Sequence, residues 1–217
     1  MSQVNQNNDN MIQETVAAVM ARLEQKNAAR ERALAESRGV IRNVANAIRA
    51  VHRNQFEQAS ELLEQGRTRL IAIKTDLANY QDIYWAGYVQ DAQKEYAEAC
   101  LTYALVLGEP LPSPQALAVE DAPYLNGLGE AASELRRYIL DLIRHGAQEV
   151  TRCEELLDKM EEVYSQLVTV DFPDALTNGL RRTTDLVRGV LERTRGDLTM
   201  TLRQQVLEAA LERVNLS

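Results

Sequence analysis

The sequence predicts an all-α protein, built as a single bundle of long helices. Its 217 residues include only five prolines and ten glycines, so few residues are of the types that interrupt helices. Ala, Leu, Glu, Arg and Gln dominate, and these are helix-forming residues. Val, Ile and the aromatic residues rarely alternate with polar ones, which argues against β-strands. The length is sufficient for one large domain with a substantial core.

The first half of the chain predicts a polar tail followed by three helices. Residues 1–9 are polar and predict a disordered tail, and residues 10–217 predict the helical domain. One very long helix is expected from Met11 to Arg53, which contains no proline and a single glycine. A second helix follows a short break after Arg53, and a third is expected from about Gln81 to Leu107. The core-facing positions of the first helix step by three or four residues and comprise Ile41, Val44, Ile48 and Val51.

The second half begins with the strongest interruption in the chain, three prolines within residues 110–114. A fourth helix is expected from about Pro123 to His145, ending at a glycine, and a fifth from about Gln148 to Val168. The run Asp171–Asp174 is typical of a helix entry and predicts a last helix that continues to about Arg213. Six or seven helices are therefore expected. Helices of this length suggest that the flanks of the bundle pack against sister subunits.

Composition and motifs exclude several functions. The net charge of −8 gives no overall attraction to nucleic acid, so any nucleic-acid surface must be local. No apolar stretch approaches the roughly 18 residues of a membrane span, and the start has no secretory pattern, so we expect a cytoplasmic protein with no membrane partner. Cys100 and Cys153 lack metal-ligand spacing and predict buried small residues. No Ser-His-Asp set, glycine-rich phosphate loop or zinc pattern is present.

Two pairs of glutamates stand within otherwise apolar helical sequence. Glu95 and Glu98 are three residues apart, and Glu130 and Glu134 are four apart, so each pair shares a helix face. Crowded carboxylates in apolar surroundings are unfavourable unless a positive group lies between them. From spacing alone that group is either a basic side chain, such as Arg136 or Arg42, or a hard divalent cation such as Mg²⁺ or Mn²⁺. No Glu-x-x-His motif is present, which disfavours a di-iron centre.

A basic stripe lies on the first helix. Arg38, Arg42, Arg49 and Arg53 are spaced four, seven and four residues apart and share one face. Arginine is well suited to phosphate contact, so the stripe is a candidate nucleic-acid surface. A solvated or intersubunit face is the open alternative. His52 lies beside the stripe near a helix end, which predicts a surface or capping role.

Several stretches, taken in order, resemble the translin superfamily, which contains translin and its partner Trax (translin-associated factor X), and in particular its prokaryotic, mostly archaeal, members. The match spans roughly residues 30–198. The stretches are Glu36–Arg42 with Ala47–Arg53, Gln93–Ala99, Tyr124–Leu128 with Ser133–Arg137, and Asp171–Ala175 with Gly179–Asp185.

The resemblance implies a seven-helix bundle that assembles into hollow octamers and binds single-stranded RNA and DNA. Trax-type subunits are metal-dependent endoribonucleases whose active site contains three acidic residues, at positions that match Glu95, Glu98 and Glu130. Translin is the non-catalytic, nucleic-acid-binding branch and lacks the first two of these acids. The presence of Glu95 and Glu98 therefore places the chain on the Trax-like side. Glu134 would then be an outer ligand or orienting group of an Mg²⁺ or Mn²⁺ site. One departure is that the family's third acid is Asp, so Glu130 is one methylene longer.

Three functions follow for testing. The first is a Trax-like endoribonuclease acting on single-stranded RNA within a homo-oligomeric, octameric shell. The second is a translin-like shell that binds single strands without cutting them. The third is a helical scaffold with no role in nucleic-acid binding.

Overall fold

Six long helices form the body of the structure, a computed structural model that describes residues 2–145 and 149–215. Three further helices have only four residues each, and the described residues contain no β-strand, so the all-α prediction is confirmed. In chain order the helices are α1 Ser2–Val51, α2 Phe56–Asp76, α3 Gln81–Tyr84, α4 Gly87–Leu107, α5 Pro114–Leu117, α6 Asp121–His145, α7 Val150–Leu167, α8 Asp174–Thr177 and α9 Leu180–Asn215.

The very long first helix is present, and it ends at a short turn before α2, as predicted. Asn54 in this turn has φ of 56°, a left-handed conformation that asparagine tolerates better than most residues. The backbone of residues 2–9 lies in the first turns of α1, and the side chains of residues 2–10 are outside the described part. The assignment of residues 1–9 as a polar tail, separate from the domain at 10–217, stays a prediction.

The third predicted helix is wrong as a continuous element, because it is divided into α3 and α4. The break falls at Trp85 and Ala86, and Ala86 is extended, with φ of −68° and ψ of 145°. Inside a longer helix the Tyr84 carbonyl would accept a backbone hydrogen bond. Here it accepts one from the Gln90 side chain instead, at 3.0 Å. The break is therefore stabilised by a side chain that replaces a helical hydrogen bond.

The predicted entry of the last helix is also subdivided. Asp174 begins the single turn α8, and Asn178 and Gly179 follow in left-handed conformations, with φ of 49° and 83°. The Asp174 carboxylate accepts a hydrogen bond from the Gly179 amide at 2.9 Å, which closes this turn before α9 begins at Leu180. The glycine at 146, predicted to end the fourth helix, lies outside the described residues.

Helix α4 runs through the middle of the bundle and packs against α1, α2, α6 and α7. It is buried on nearly every side, because its sequence is apolar almost all round. Its closest neighbour is α6, and the contact centres on Gly127: a Cβ there would lie 2.8 Å from the Glu98 amide nitrogen and from the Lys94 carbonyl oxygen. Only glycine permits this approach of two helix backbones.

Asn126 fixes the beginning of α6 to the last part of the chain. Its side-chain nitrogen donates to the Thr177 carbonyl at 2.8 Å, and its side-chain oxygen accepts a hydrogen bond from the Thr183 hydroxyl at 2.7 Å. Cys100 and Cys153 are buried and unpaired. None of the described helices combines the length and apolar character needed to cross a membrane.

Candidate metal centre

Glu95 and Glu98 on α4 converge with Glu130 on α6. Each offers one carboxylate oxygen, and these three oxygens lie within 4.8 Å of one another. The close crossing at Gly127 places Glu130 one turn further along the same face of α6, opposite the two acids of α4. Oxygens on opposite sides of a bound Mg²⁺ are about 4.2 Å apart, so the three carboxylates are close to the spacing that a hard cation requires. The extra methylene of Glu130 does not prevent this convergence.

Glu98 is the most unusual member of the three. The residue is only 9% exposed, and its carboxylate makes no hydrogen bond or ion pair with the described residues. Burial raises the pKa of Glu98 to about 8, and the neighbouring Glu130 and Glu95 carboxylates add to this shift. A buried carboxyl without a partner is costly, and a cation between the three acids would remove that cost. The donors are hard oxygens, so the residues fit Mg²⁺ or Mn²⁺.

A lysine contacts the other two acids. The Lys94 ammonium lies 2.7 Å from a Glu130 oxygen and 3.3 Å from a Glu95 oxygen. Burial acts to lower the pKa of Lys94, but the Glu130 and Glu95 carboxylates outweigh burial and raise it above its ordinary value. Sequence reasoning missed this contact, although a lysine four residues before Glu98 was a usable signal because the two residues share a helix face.

The arginine partner that spacing left open for Glu98 is not found. Arg136 forms an ion pair with Asp197 at 2.8 Å and donates to Thr194. Arg42, the other candidate, is exposed on α1. The three converging acids are therefore free of arginine among the described residues, and Lys94 is the basic group nearest to them.

Glu134 lies outside the group of three converging carboxylates. Its carboxylate contacts His52, the residue that follows the end of α1, with 2.5 Å between Oε2 and the ring nitrogen Nε2. The His52 side chain is only 4% exposed, so the prediction of a surface role for this histidine is wrong. The Tyr138 ring lies beside it, 6.1 Å between ring centroids. A histidine near a helix end is usually exposed, but the turn that follows α1 contacts α6 through His52 and Asn54.

The four arginines of the stripe are exposed; three lie on α1, and Arg53 lies in the turn that follows it. Arg49 donates to the Asn46 side chain at 2.8 Å, within the same helix. Arg49 precedes His52 by three residues, so the stripe adjoins the turn that contacts Glu134. A nucleic-acid role for Arg38, Arg42, Arg49 and Arg53 stays a prediction.

Known proteins share this fold. No family model matches the sequence. The chain is 28% identical over 195 residues to the uncharacterized protein MJ0175 of Methanocaldococcus jannaschii, with 89% of this chain and 86% of that protein covered. Two AfC3PO structures, one of them a complex with duplex RNA, superpose with a TM-score of 0.80 at 29% identity, covering 88% of this chain and 98% of theirs.

The apo-NeC3PO structure gives a TM-score of 0.78 at 18% identity, with 86% of this chain and 96% of that chain covered. At that identity the likeness concerns the fold alone. The fold is therefore the all-helical fold of the C3PO proteins. The likeness to the AfC3PO structures supports the resemblance to the translin superfamily that the sequence motifs indicated.

Proposed function

We propose that the chain is a Trax-like endoribonuclease that uses Mg²⁺ or Mn²⁺ to cleave single-stranded RNA. The observation that carries the proposal is the buried, unpartnered Glu98 carboxylate, which converges with Glu95 and Glu130. A divalent cation held there would polarise a phosphodiester and activate a water molecule. The likeness to AfC3PO, which was solved with duplex RNA, supports RNA as the substrate class.

We assign different roles to three groups of residues: binding the cation, orienting groups beside it and contacting phosphates. Glu95, Glu98 and Glu130 would hold the cation, and the buried position of Glu98 keeps bulk water from one side of it. Glu134, fixed by His52, would orient groups at the edge of the site as an outer ligand. Phosphates on either side of the cleaved bond would lie on the exposed arginines of α1, of which Arg38 and Arg42 have no partner among the described residues.

Cleavage is proposed to take place in a homo-oligomer, with eight protomers as the expected number. An apolar stripe on the first half of α1 supports assembly: Ile12, Val16, Val19 and Leu23 are exposed and spaced four, three and four residues apart. Exposed apolar side chains at this spacing are typical of helices that pack on a partner helix. Light scattering on the purified protein measures the number of protomers, and a monomer would contradict this part of the proposal.

The central test is cleavage of a labelled single-stranded RNA by wild type and Glu98→Gln, each with Mn²⁺ and with EDTA. We expect cleavage by the wild type only with Mn²⁺, and none by Glu98→Gln. A Glu57→Gln variant is the matched control, because Glu57 is an exposed glutamate at the start of α2. Unchanged cleavage by Glu98→Gln would refute the proposal. A duplex RNA arm tests whether the substrate must be single-stranded.

A non-catalytic shell that binds single-stranded RNA or DNA is the second candidate, and the Lys94 contacts favour it. An ammonium that already pairs with two of the three acids and offsets one of their charges makes a divalent cation less necessary. Binding of a single-stranded oligonucleotide that falls steeply with salt, without cleavage at any Mn²⁺ concentration, would identify this function. Failure to bind any oligonucleotide at low salt would favour a scaffold.

A further inference from the structure

One cationic group of the protein, the Lys94 ammonium, already contacts carboxylates of the candidate metal centre. The Lys94 ammonium is 2.7 Å from Glu130 and 3.3 Å from Glu95, and its side chain is only 24% exposed. It makes no ion pair with Glu98, the third acid. Lys94 thus pairs directly with the two outer acids, offsets one of their two charges, and makes no direct contact with the buried one.

A divalent cation and this ammonium compete for the same oxygens. The cation would need oxygens of Glu95 and Glu130 at about 2.0–2.1 Å, which brings it close to the ammonium. The two positive charges repel strongly at such a separation in a partly buried site. Lysine has a flexible four-carbon stem, so its ammonium is able to leave the carboxylates without movement of α4.

We infer that Lys94 is a resident counter-ion that a divalent cation must displace from Glu95 and Glu130, and that it thereby sets the metal affinity of the site. The inference rests on the proposed function, because it presumes that the three acids bind a metal. It assigns Lys94 a regulatory effect on metal binding rather than a contact with substrate. Lys94 then stabilises the site when the metal is scarce, and half-saturation of the site needs a higher concentration of metal than it would without the lysine.

The test is a Mn²⁺ titration of the full-length assembly, with free Mn²⁺ followed by electron paramagnetic resonance. Lys94→Met keeps the length and the apolar stem of the side chain and removes the charge. A charge-assisted hydrogen bond contributes about 1.5–3 kcal/mol, so we expect this variant to bind Mn²⁺ about tenfold to a hundredfold more tightly than the wild type. Lys94→Gln is a second neutral variant and should behave alike, whereas Lys94→Arg should stay weak.

The control is Lys159→Met. Lys159 forms an ion pair with Glu162 at 2.8 Å, nearly the distance of the Lys94–Glu130 pair, but on the exposed surface of α7. The Lys159→Met substitution changes the net charge by the same amount as Lys94→Met. It should leave the Mn²⁺ affinity within about twofold of the wild type, because isolated exposed ion pairs contribute little free energy.

The outcomes separate the two proposals. If the wild type binds Mn²⁺ and cleaves RNA but both neutral Lys94 variants bind Mn²⁺ no more tightly, the counter-ion inference is overturned and the proposed function stands. If neither the wild type nor the Lys94 variants bind Mn²⁺, both the proposed metal-dependent function and the counter-ion inference are refuted. Equal tightening by Lys159→Met would also overturn the inference, because the effect would then be one of net charge.

Discussion

Replacing Glu98 by glutamine should remove a pH-dependent destabilisation of the metal-free protein. The pKa of Glu98 rises from 4.5 to about 8 on folding, chiefly through burial. Between these two values the folded state holds a proton that the unfolded state has released, so stability falls as the pH rises through this window. One pKa unit corresponds to about 1.4 kcal/mol, which gives a decline on the order of 3 kcal/mol between pH 5 and pH 8.

The measurement is urea unfolding followed by circular dichroism, in EDTA, at pH 5 and pH 8 and at one protein concentration. Titrating groups that are not coupled to Glu98 contribute equally to both proteins, so the useful quantity is the change with pH of the difference between Glu98→Gln and wild type. We expect this difference to shift in favour of the variant by about 3 kcal/mol from pH 5 to pH 8. A buried amide has its own cost, but that cost is the same at both pH values.

Two further arms make the test decisive. Glu57→Gln removes an exposed carboxylate and should follow the wild type at both pH values. Mn²⁺ at about one hundred times its dissociation constant should stabilise the wild type by about 2.7 kcal/mol at pH 8 and leave Glu98→Gln unaffected. A Glu98→Gln variant whose stability declines with pH as steeply as that of the wild type would refute the reasoning, because burial of Glu98 would then have no energetic consequence.

Three further predictions test the fold and the basic stripe. Gly127→Ala places a Cβ 2.8 Å from backbone atoms of α4 and should lower the free energy of unfolding by about 2–3 kcal/mol, whereas Gly87→Ala meets no atom within 4 Å and should be neutral or slightly stabilising in the same urea assay. Asn126→Ala breaks the hydrogen bonds that join α6 to the chain around α8 and α9, and should lower the unfolding free energy by about 2–3 kcal/mol. Arg38→Gln and Arg42→Gln should each reduce the salt dependence of single-stranded RNA binding by about 0.7 in the log–log slope, and an unchanged slope would exclude phosphate contact at that residue.

The fold was largely predictable because helix-forming composition and apolar spacing act locally along the chain. The errors occur where a contact distant in sequence decides the outcome. The break at Trp85 depends on a Gln90 side chain that replaces a backbone hydrogen bond, and no proline marks it. The His52 side chain is buried because Glu134 and Tyr138 of α6 lie against the turn that follows α1, which the position of His52 near a helix end does not reveal.

The candidate site was predictable in part. Helical spacing placed each pair of acids on one face, and the family resemblance singled out Glu95, Glu98 and Glu130, which the structure brings within 4.8 Å of one another. Spacing within one helix says nothing about which side chain of a second helix lies opposite. The contact of Lys94 with Glu130 and the separation of Glu134 from the other acids both depend on how α4 and α6 cross.

Because α4 and α6 cross so closely at Gly127, the length of the Glu130 side chain decides how near its carboxylate comes to the other two. The two backbones are already too close to admit a Cβ between them, so α6 has no room to advance toward α4. Exchanging Glu130 for the shorter aspartate that the translin resemblance implies at this position would withdraw the carboxylate by about one bond length, roughly 1.5 Å, and the helices could not compensate by moving together. In this chain the distance between α4 and α6 and the length of the Glu130 side chain suit each other, so neither could be changed alone without moving the third carboxylate away from the other two.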